Sequence, residues 1–599
     1  MRSTIPTTNS KLEHCFGGFE TVAEGLDYAA RGETGISFYS VRGEVRQQLT
    51  YAELRDRAVS LALRFEKAGF ERGARVAIIA ATDPEFFAFF FACQYANLIP
   101  VPLPLPINLG GRESYVARLR KMIESAGAAA AVASKDLIEL LREAVSGLPV
   151  RMVGAHEDFR ALPAEGGDLR PSGKDDLCYI QYSSGSTRFP HGVTISQRSV
   201  TSNTRSITRH GLCVRSGDRC VSWLPLYHDM GLVGFCITPV LSQMSVDYIA
   251  TTDFARRPLL WLKVLSANRG TLAFSPTFGY DLCSRRGVNG AAGTLDLSSW
   301  RVAGIGGEMI RANVIEQFAD CFAEFGFRRS TFLASYGLAE STLAVTFASL
   351  DGVLEVDRVN RNLCSTTHQA VPAGVNGEAM ASGVRDFVLC GPPMPGHAIA
   401  IRDENGADLP DRRIGTIHVK GPSLMVGYFG DPEATARVFA DESWLDTGDM
   451  GYIVDGSLVV TGRKKDMIIC NGRNLWAQDI EWEVETLPGV RRGDVAAFSV
   501  TENDDAEAVV LVVECRLTDR EERRRLRRQV AATVRSIAGV DCKVILAPRR
   551  SLPHTSSGKL SRSSVKEKYL SGLYSETDHG GAERSGDRAA QASGMAAVD

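Results

Sequence analysis

No glycine-rich run in this 599-residue sequence ends in Gly-Lys-Ser/Thr, which excludes a Walker-type phosphate loop. No Cys-x-x-Cys pair occurs among its 13 cysteines, an odd and scattered set. That argues against a zinc ribbon or a disulfide frame and for buried thiols in a reducing compartment. Charge of one sign is missing too: 71 acidic against 68 basic residues leave −3, which argues against a dedicated nucleic-acid binder. The first ten residues lack the apolar core of a signal peptide, so the expectation is a cytoplasmic protein. No internal repeat is visible. The stretch from Pro84 to Leu109 has the length of a membrane span, but Gln94, Asn97 and prolines at 100, 102, 104 and 106 interrupt it. It reads as a buried helix running into a buried strand. What is present is ordinary globular composition, 44% hydrophobic and 23% charged, on a chain too long for one core, so at least two domains are expected.

Thr50 followed by Glu53 predicts a capping box, with Leu54, Ala58, Leu61 and Phe65 on one helical face. Asp83-Pro84 predicts the start of the next helix. Short apolar strands alternate with helices through residue 345, which argues for a parallel α/β arrangement with helices on both faces. Residues 351–386 are polar and poor in helical periodicity. Alternating strands from 387 to about 460 predict a small β-rich subdomain. A compact α+β region follows, with a helix from Asp519 to Ala538 that is rich in arginine. The tail 575–599 has almost no large apolar residue, and disorder is expected there.

The densest motif is Ser183-Ser184-Gly185-Ser186-Thr187-Arg188-Phe189-Pro190-His191-Gly192 after an apolar strand. Hydroxyls, exposed N–H groups and close-approach glycines suit phosphate oxygens, although such runs also form plain surface loops. Downstream stand Trp223 to Leu232 with His228-Asp229, then Gly306-Gly307-Glu308, Tyr336-Gly337-Leu338-Ala339-Glu340, and Thr447-Gly448-Asp449. Arg463 follows fourteen residues after Asp449, then Lys465, the run 471–481, and Ser557-Gly558-Lys559. Each one alone also fits a turn, a core histidine or a solvated basic residue. The strand expected to end at Ser335 is read as running into a turn and a helix, the ligand-binding edge of open α/β sheets.

In this order, over roughly residues 20–570, the motifs resemble those of the adenylate-forming superfamily, and the chain looks like a fatty acyl-AMP ligase. Arg188 in the loop, the run 471–481 and the stretch 356–384, placed where that branch carries an insertion, are similar to the ligases rather than to acyl-CoA synthetases. His191 stands where the superfamily usually has lysine. The resemblance implies a large N-terminal domain of parallel-rich sheets (1–461, β-rich subdomain about 387–460), a mobile α+β C-terminal domain (462–574) and a disordered tail. It implies ATP as cosubstrate, held by Ser183, Ser184, Gly185, Ser186, Thr187, Gly307, Glu308, Tyr336, Gly337, Asp449 and Arg463, with Glu340 facing Mg²⁺. Lys559 and His228 are the implied catalytic residues and Lys465 the hinge. The implied partners are a fatty acid and an acyl carrier protein or a carrier domain of a polyketide or nonribosomal peptide synthase, with no nucleic acid and no membrane span. Two alternatives stay open: an acyl-CoA synthetase and a non-catalytic acyl or nucleotide binder.

Overall fold

The apolar run after Asp83 folds as one buried helix, Pro84–Tyr95, in which only Glu85 escapes burial. The Asp83 carboxylate accepts the N–H groups of Glu85 and Phe86, each at 3.0 Å, and Pro84 occupies the first turn, where no N–H is needed. The helix packs beside Tyr51–Lys67, itself started by the Thr50–Glu53 capping box. The two bury Leu54, Ala58, Leu61 and Phe65 together with phenylalanines 86, 87, 89, 90 and 91 in one core. Among the described residues no helix is long and apolar enough to cross a membrane.

This computed structural model describes the chain except residues 1–4, 8–11, 107–110, 165–166, 184–189, 288–294, 351, 375–382, 440–442, 471–472, 502–506, 556–557 and 575–599. The disorder expected for 575–599 therefore lies outside the described residues.

The strand–helix alternation forms two parallel layers rather than one. Ile99–Leu103, Arg75–Ile79, Ala130–Ala133 and Met152–Ala155 make a four-stranded, wholly parallel sheet in that order. The larger sheet has eight strands, in the order Ala344–Phe347, Phe332–Gly337, Val302–Ile305, Leu272–Ser275, Arg219–Ser222, Ser245–Ile249, Gly35–Tyr39 and Val45–Thr50. Its interior pairings are parallel and only the two edge strands run antiparallel. Interior strands such as Val302–Ile305 are buried at every residue, which is why they read as unbroken apolar runs. The Arg219 guanidinium bridges both oxygens of Asp247 at 2.7 Å in this sheet's interior.

One expectation fails here. The strand predicted to stop at Ser335 continues to Gly337 and leads into a single 3₁₀ turn, Ala339–Ser341, and the antiparallel strand Ala344–Phe347, not into a helix. The turn closes so tightly that a Cβ on Gly337 would lie 1.7 Å from the Leu343 carbonyl oxygen. Residues 351–386, polar and poor in helical periodicity, nevertheless contain the strand Val356–Asn360, paired with Val384–Val388, and the helix Arg361–Thr367. Asn360 caps that helix through the N–H groups of Asn362 and Leu363. Seven residues are too few to show a helical period. Asp357 ties the stretch to the antiparallel sheet 398–463, accepting from Arg412 at 3.0 Å and Tyr452 at 2.6 Å.

By compactness the chain forms two units. One runs to Met467 and takes in His554–Lys559; the other holds Ile468–Pro553 and the chain from Leu560. The second unit is built on the sheet Val495–Thr501, Glu507–Glu514 and Cys542–Ala547. The helix Arg520–Ala538 packs on it through Leu526, Val530, Val534 and Ala538.

Candidate nucleotide site

Three side chains named from separate motifs meet in the larger unit. Tyr336, buried on the strand Phe332–Gly337, donates its hydroxyl to Asp449 Oδ2 at 2.9 Å. Asp449 and Arg463 are cross-strand partners of the hairpin Leu445–Val454 and Ser457–Arg463, so the arginine Nε stands 3.3 Å from Asp449 Oδ1. The Asp449 N–H donates to Thr447 Oγ1 at 3.1 Å, and that hydroxyl donates to the Ile417 carbonyl at 2.7 Å. Burial, then the Asp449 charge, pushes the Tyr336 phenol well above its ordinary range, so it serves as a neutral donor. Thr447 was not among the expected site residues; its role depends on the partner strand carrying Ile417.

The hydroxyl-rich loop leaves the strand Leu177–Tyr182 and returns in Gly192–Ser196. These strands form an antiparallel hairpin, and the Ser183 N–H donates to the His191 carbonyl at 3.1 Å, closing the loop's base. Ser184, Gly185, Ser186 and Thr187, with Arg188, lie outside the described residues. On its other edge Gly192–Ser196 pairs with Gly427–Tyr428. That pairing brings the His191 ring to 4.6 Å from that of Tyr428, tilted by 33°, while His191 Nδ1 stands 3.3 Å from Asp431 Oδ2. The Tyr428 hydroxyl donates to Glu340 Oε1 at 3.0 Å. Burial raises the Glu340 carboxyl, and the Tyr428 bond offsets part of that rise. Neither Tyr428 nor Asp431 carries a motif, and only strand pairing brings them here.

Gly307 follows the strand Val302–Ile305 with φ +78°, a conformation that favours glycine, and its carbonyl accepts the Lys559 ammonium. Glu308 accepts the Phe278 N–H at 2.9 Å in the first turn of the helix Thr277–Arg286, and burial raises its carboxyl against the pull of Lys559. The Lys559 ammonium is pushed down by the protein packed around it, with Glu308 and Asp229 acting in the opposite direction. His228 Nδ1 lies 2.6 Å from Asp229 Oδ1. Burial would raise the Asp229 carboxyl, but His228 and Lys559 outweigh it and hold the group below the usual carboxylate range. Lys465 lies in the turn Lys464–Asp466, where the surrounding protein and then the Arg463 charge push its ammonium down to about 8, with no hydrogen bond to this set among the described residues.

A family profile described as AMP-binding enzyme matches residues 29–429. Over 573 residues the chain is 46% identical to a Caulobacter vibrioides protein provisionally named an acyl-CoA synthetase, covering 95% of this chain and 99% of that one. It is 31% identical over 586 residues to the medium-chain-fatty-acid–[acyl-carrier-protein] ligase JamA of Moorena producens, covering 92% and 96%. Among solved structures, a chain from studies of fatty acyl-adenylate ligases from E. coli and L. pneumophila matches with a TM-score of 0.89 at 44% identity, covering 94% of this chain and 100% of that chain.

Proposed function

The chain belongs to the AMP-binding enzyme family, and on that premise we propose that it activates a fatty acid with ATP and hands the acyl group to a carrier protein. It is an adenylate-forming ligase. The observation that carries the nucleotide reading is the convergence of Tyr336, Asp449 and Arg463 from separate segments. In this reading the Tyr336 ring packs on adenine, and Asp449 accepts from the ribose hydroxyls while Arg463 neutralises it. The fatty acid is ionised at neutral pH and needs no general base. Its carboxylate oxygen attacks the α-phosphorus, the bond to the β-phosphate oxygen breaks, and pyrophosphate leaves. Lys559 stabilises the charge that gathers between carboxylate and α-phosphate, and His228, oriented by Asp229, stands beside the carboxylate. The loop 183–187 holds the pyrophosphate.

Among the described residues no three His, Cys, Asp or Glu side chains gather as a metal site. A Mg²⁺ carried on a triphosphate fits the single carboxylate of Glu340, since such ions keep few protein ligands. When bound, it would neutralise charge on the phosphate oxygens.

In the second step a phosphopantetheine thiolate adds to the acyl carbonyl and AMP departs. The similarity to JamA, whose name specifies a carrier-protein acceptor, supports this half. A second reading, CoA as acceptor, has the Caulobacter relative's name in its favour. ATP–pyrophosphate exchange with a panel of fatty acids tests the first half: acid-dependent and Mg²⁺-dependent exchange is expected, and ATP binding without exchange for any acid would replace the enzyme with an inert binder.

A further inference from the structure

The chain on either side of Lys559, at Leu552 and Arg562, is held by buried carboxylates. Ahead of it, the Leu552 N–H donates to Glu514 Oε1 at 2.8 Å. Behind it, Arg562 forks onto Glu481, Nε to Oε1 at 2.7 Å and Nη2 to Oε2 at 2.6 Å. Glu481 is 3% exposed and Glu514 6%. Glu481 is fixed in turn: it lies on the helix Ala477–Val484, and its Oε1 also accepts the Ala497 N–H at 2.9 Å. Between Leu552 and Arg562, the Ser561 N–H donates to the Pro553 carbonyl at 3.0 Å and the Thr555 N–H to the Lys559 carbonyl at 2.7 Å, while the Lys559 N–H reaches Thr555 Oγ1 at 3.2 Å. The lysine thus stands among these bonded residues, three positions before an arginine that begins the helix Arg562–Leu570.

An ion pair made on a buried carboxylate is a poor device for stability alone, because well-packed apolar side chains often do as well. What a two-pronged guanidinium–carboxylate contact adds is direction: it fixes the plane and distance of both partners. We propose that Arg562 and Glu481 are positioning residues for the adenylation step. They act through Lys559 by holding the chain just after it, so that the ammonium is presented at one place and angle. The proposal rests on the catalytic reading of Lys559 given above. Displacement of a reacting group by an ångström costs on the order of 100-fold, so loss of the fork should show in the rate rather than in substrate binding.

The test is single-turnover acyl-AMP formation by the full chain carrying Arg562→Met, Arg562→Lys or Glu481→Gln, each with Lys559 intact and with Lys559→Ala. With Lys559 intact, Arg562→Met should lower the rate by roughly 10- to 100-fold, with KM for ATP and fatty acid within about twofold. Arg562→Lys keeps the charge but not the fork, so it should be intermediate, and it serves if the methionine variant fails to fold. In the Lys559→Ala background the same changes should cost less than about twofold, because the group they position is gone. Equal losses in both backgrounds would reduce the pair to a fold-stabilising contact and overturn the proposal, as would an unchanged rate in the Arg562 variants. Full adenylation by Lys559→Ala alone would instead remove the lysine assignment on which the proposal stands.

Discussion

At the scale of single residues, the Tyr336 hydroxyl is the most testable atom of the nucleotide site. The hydroxyl donates to Asp449 and also meets Thr447, so Tyr336→Phe keeps the ring and deletes only this polar group. Hydrogen bonds to charged acceptors are worth about 1.5–3 kcal/mol, and Arg463 and Thr447 still hold Asp449. The expected outcome is a roughly 10-fold weaker affinity for ATP by calorimetry, with kcat at saturation little changed. An equal fall in kcat would mean that the hydroxyl acts in the transition state. Tyr336, Asp449 and Arg463 were legible because their motifs are compact in sequence. Tyr428 and Asp431 were not, because strand pairing with a segment more than two hundred residues away brings them to the site; Thr447 lies within the Thr447-Gly448-Asp449 motif, but its bond to the Ile417 carbonyl on the partner strand left no trace in it.

At the scale of elements, the helix Arg520–Ala538 separates two kinds of arginine that look alike in sequence. Arg523 lies half-buried and donates to the carbonyls of Leu517 at 3.1 Å and Leu546 at 3.0 Å, so it belongs to the fold. Arg524, Arg525 and Arg528 are exposed, with Arg524 paired to Glu521 at 2.8 Å. A solvated face of this kind is common, yet it offers complementarity to an acidic carrier protein. Charge reversal at Arg524 and Arg528 should slow carrier loading by roughly 3- to 10-fold and flatten its salt dependence, with adenylation unchanged. Loading at the original rate would return this face to plain helix surface. The helix expected from Asp519 begins at Arg520, and Asp519 caps it by accepting the Glu522 N–H.

At the scale of the whole molecule, the question is which thiol receives the acyl group. The two ends of the stretch 356–384 are paired: Val356–Asn360 pairs with Val384–Val388, and Asp357 accepts from Arg412 and Tyr452. An insertion can bias the orientations of a mobile domain through differential contacts, and a carrier can supply binding energy that free CoA lacks. With CoA alone, acyl-AMP should accumulate; with a holo-carrier protein, the acyl group should transfer. Because Asn360 and Val384 are the last partners of the hairpin, replacing residues 361–383 by a short turn keeps that pairing and removes only the bonds that residues 371–373 make to Arg358, Val359 and Asn360 and the other contacts of the segment itself. That replacement should raise any CoA activity if the insertion is what limits it. Efficient acyl-CoA formation by the intact chain, read by chromatography, would favour the synthetase reading instead.

The sequence alone determined the local elements, because their causes are local. Thr50 with Glu53, and Asp83 with Pro84, start helices through bonds made within three residues. Buried strands reveal themselves as apolar runs because both their faces are covered. The order of the motifs was likewise enough to predict the nucleotide chemistry. Only the tertiary structure decided that the strand through Tyr336 ends in a 3₁₀ turn, since the approach of Leu343 to Gly337 enforces it. It alone set His191 on Tyr428 and Tyr428 on Glu340, through a pairing of strands more than two hundred residues apart. It alone joined Arg562 to Glu481, 81 residues away in the chain. Caps and apolar periods are short-range and leave a trace in sequence; a contact between distant side chains depends on how whole sheets and helices pack, and no local pattern records it.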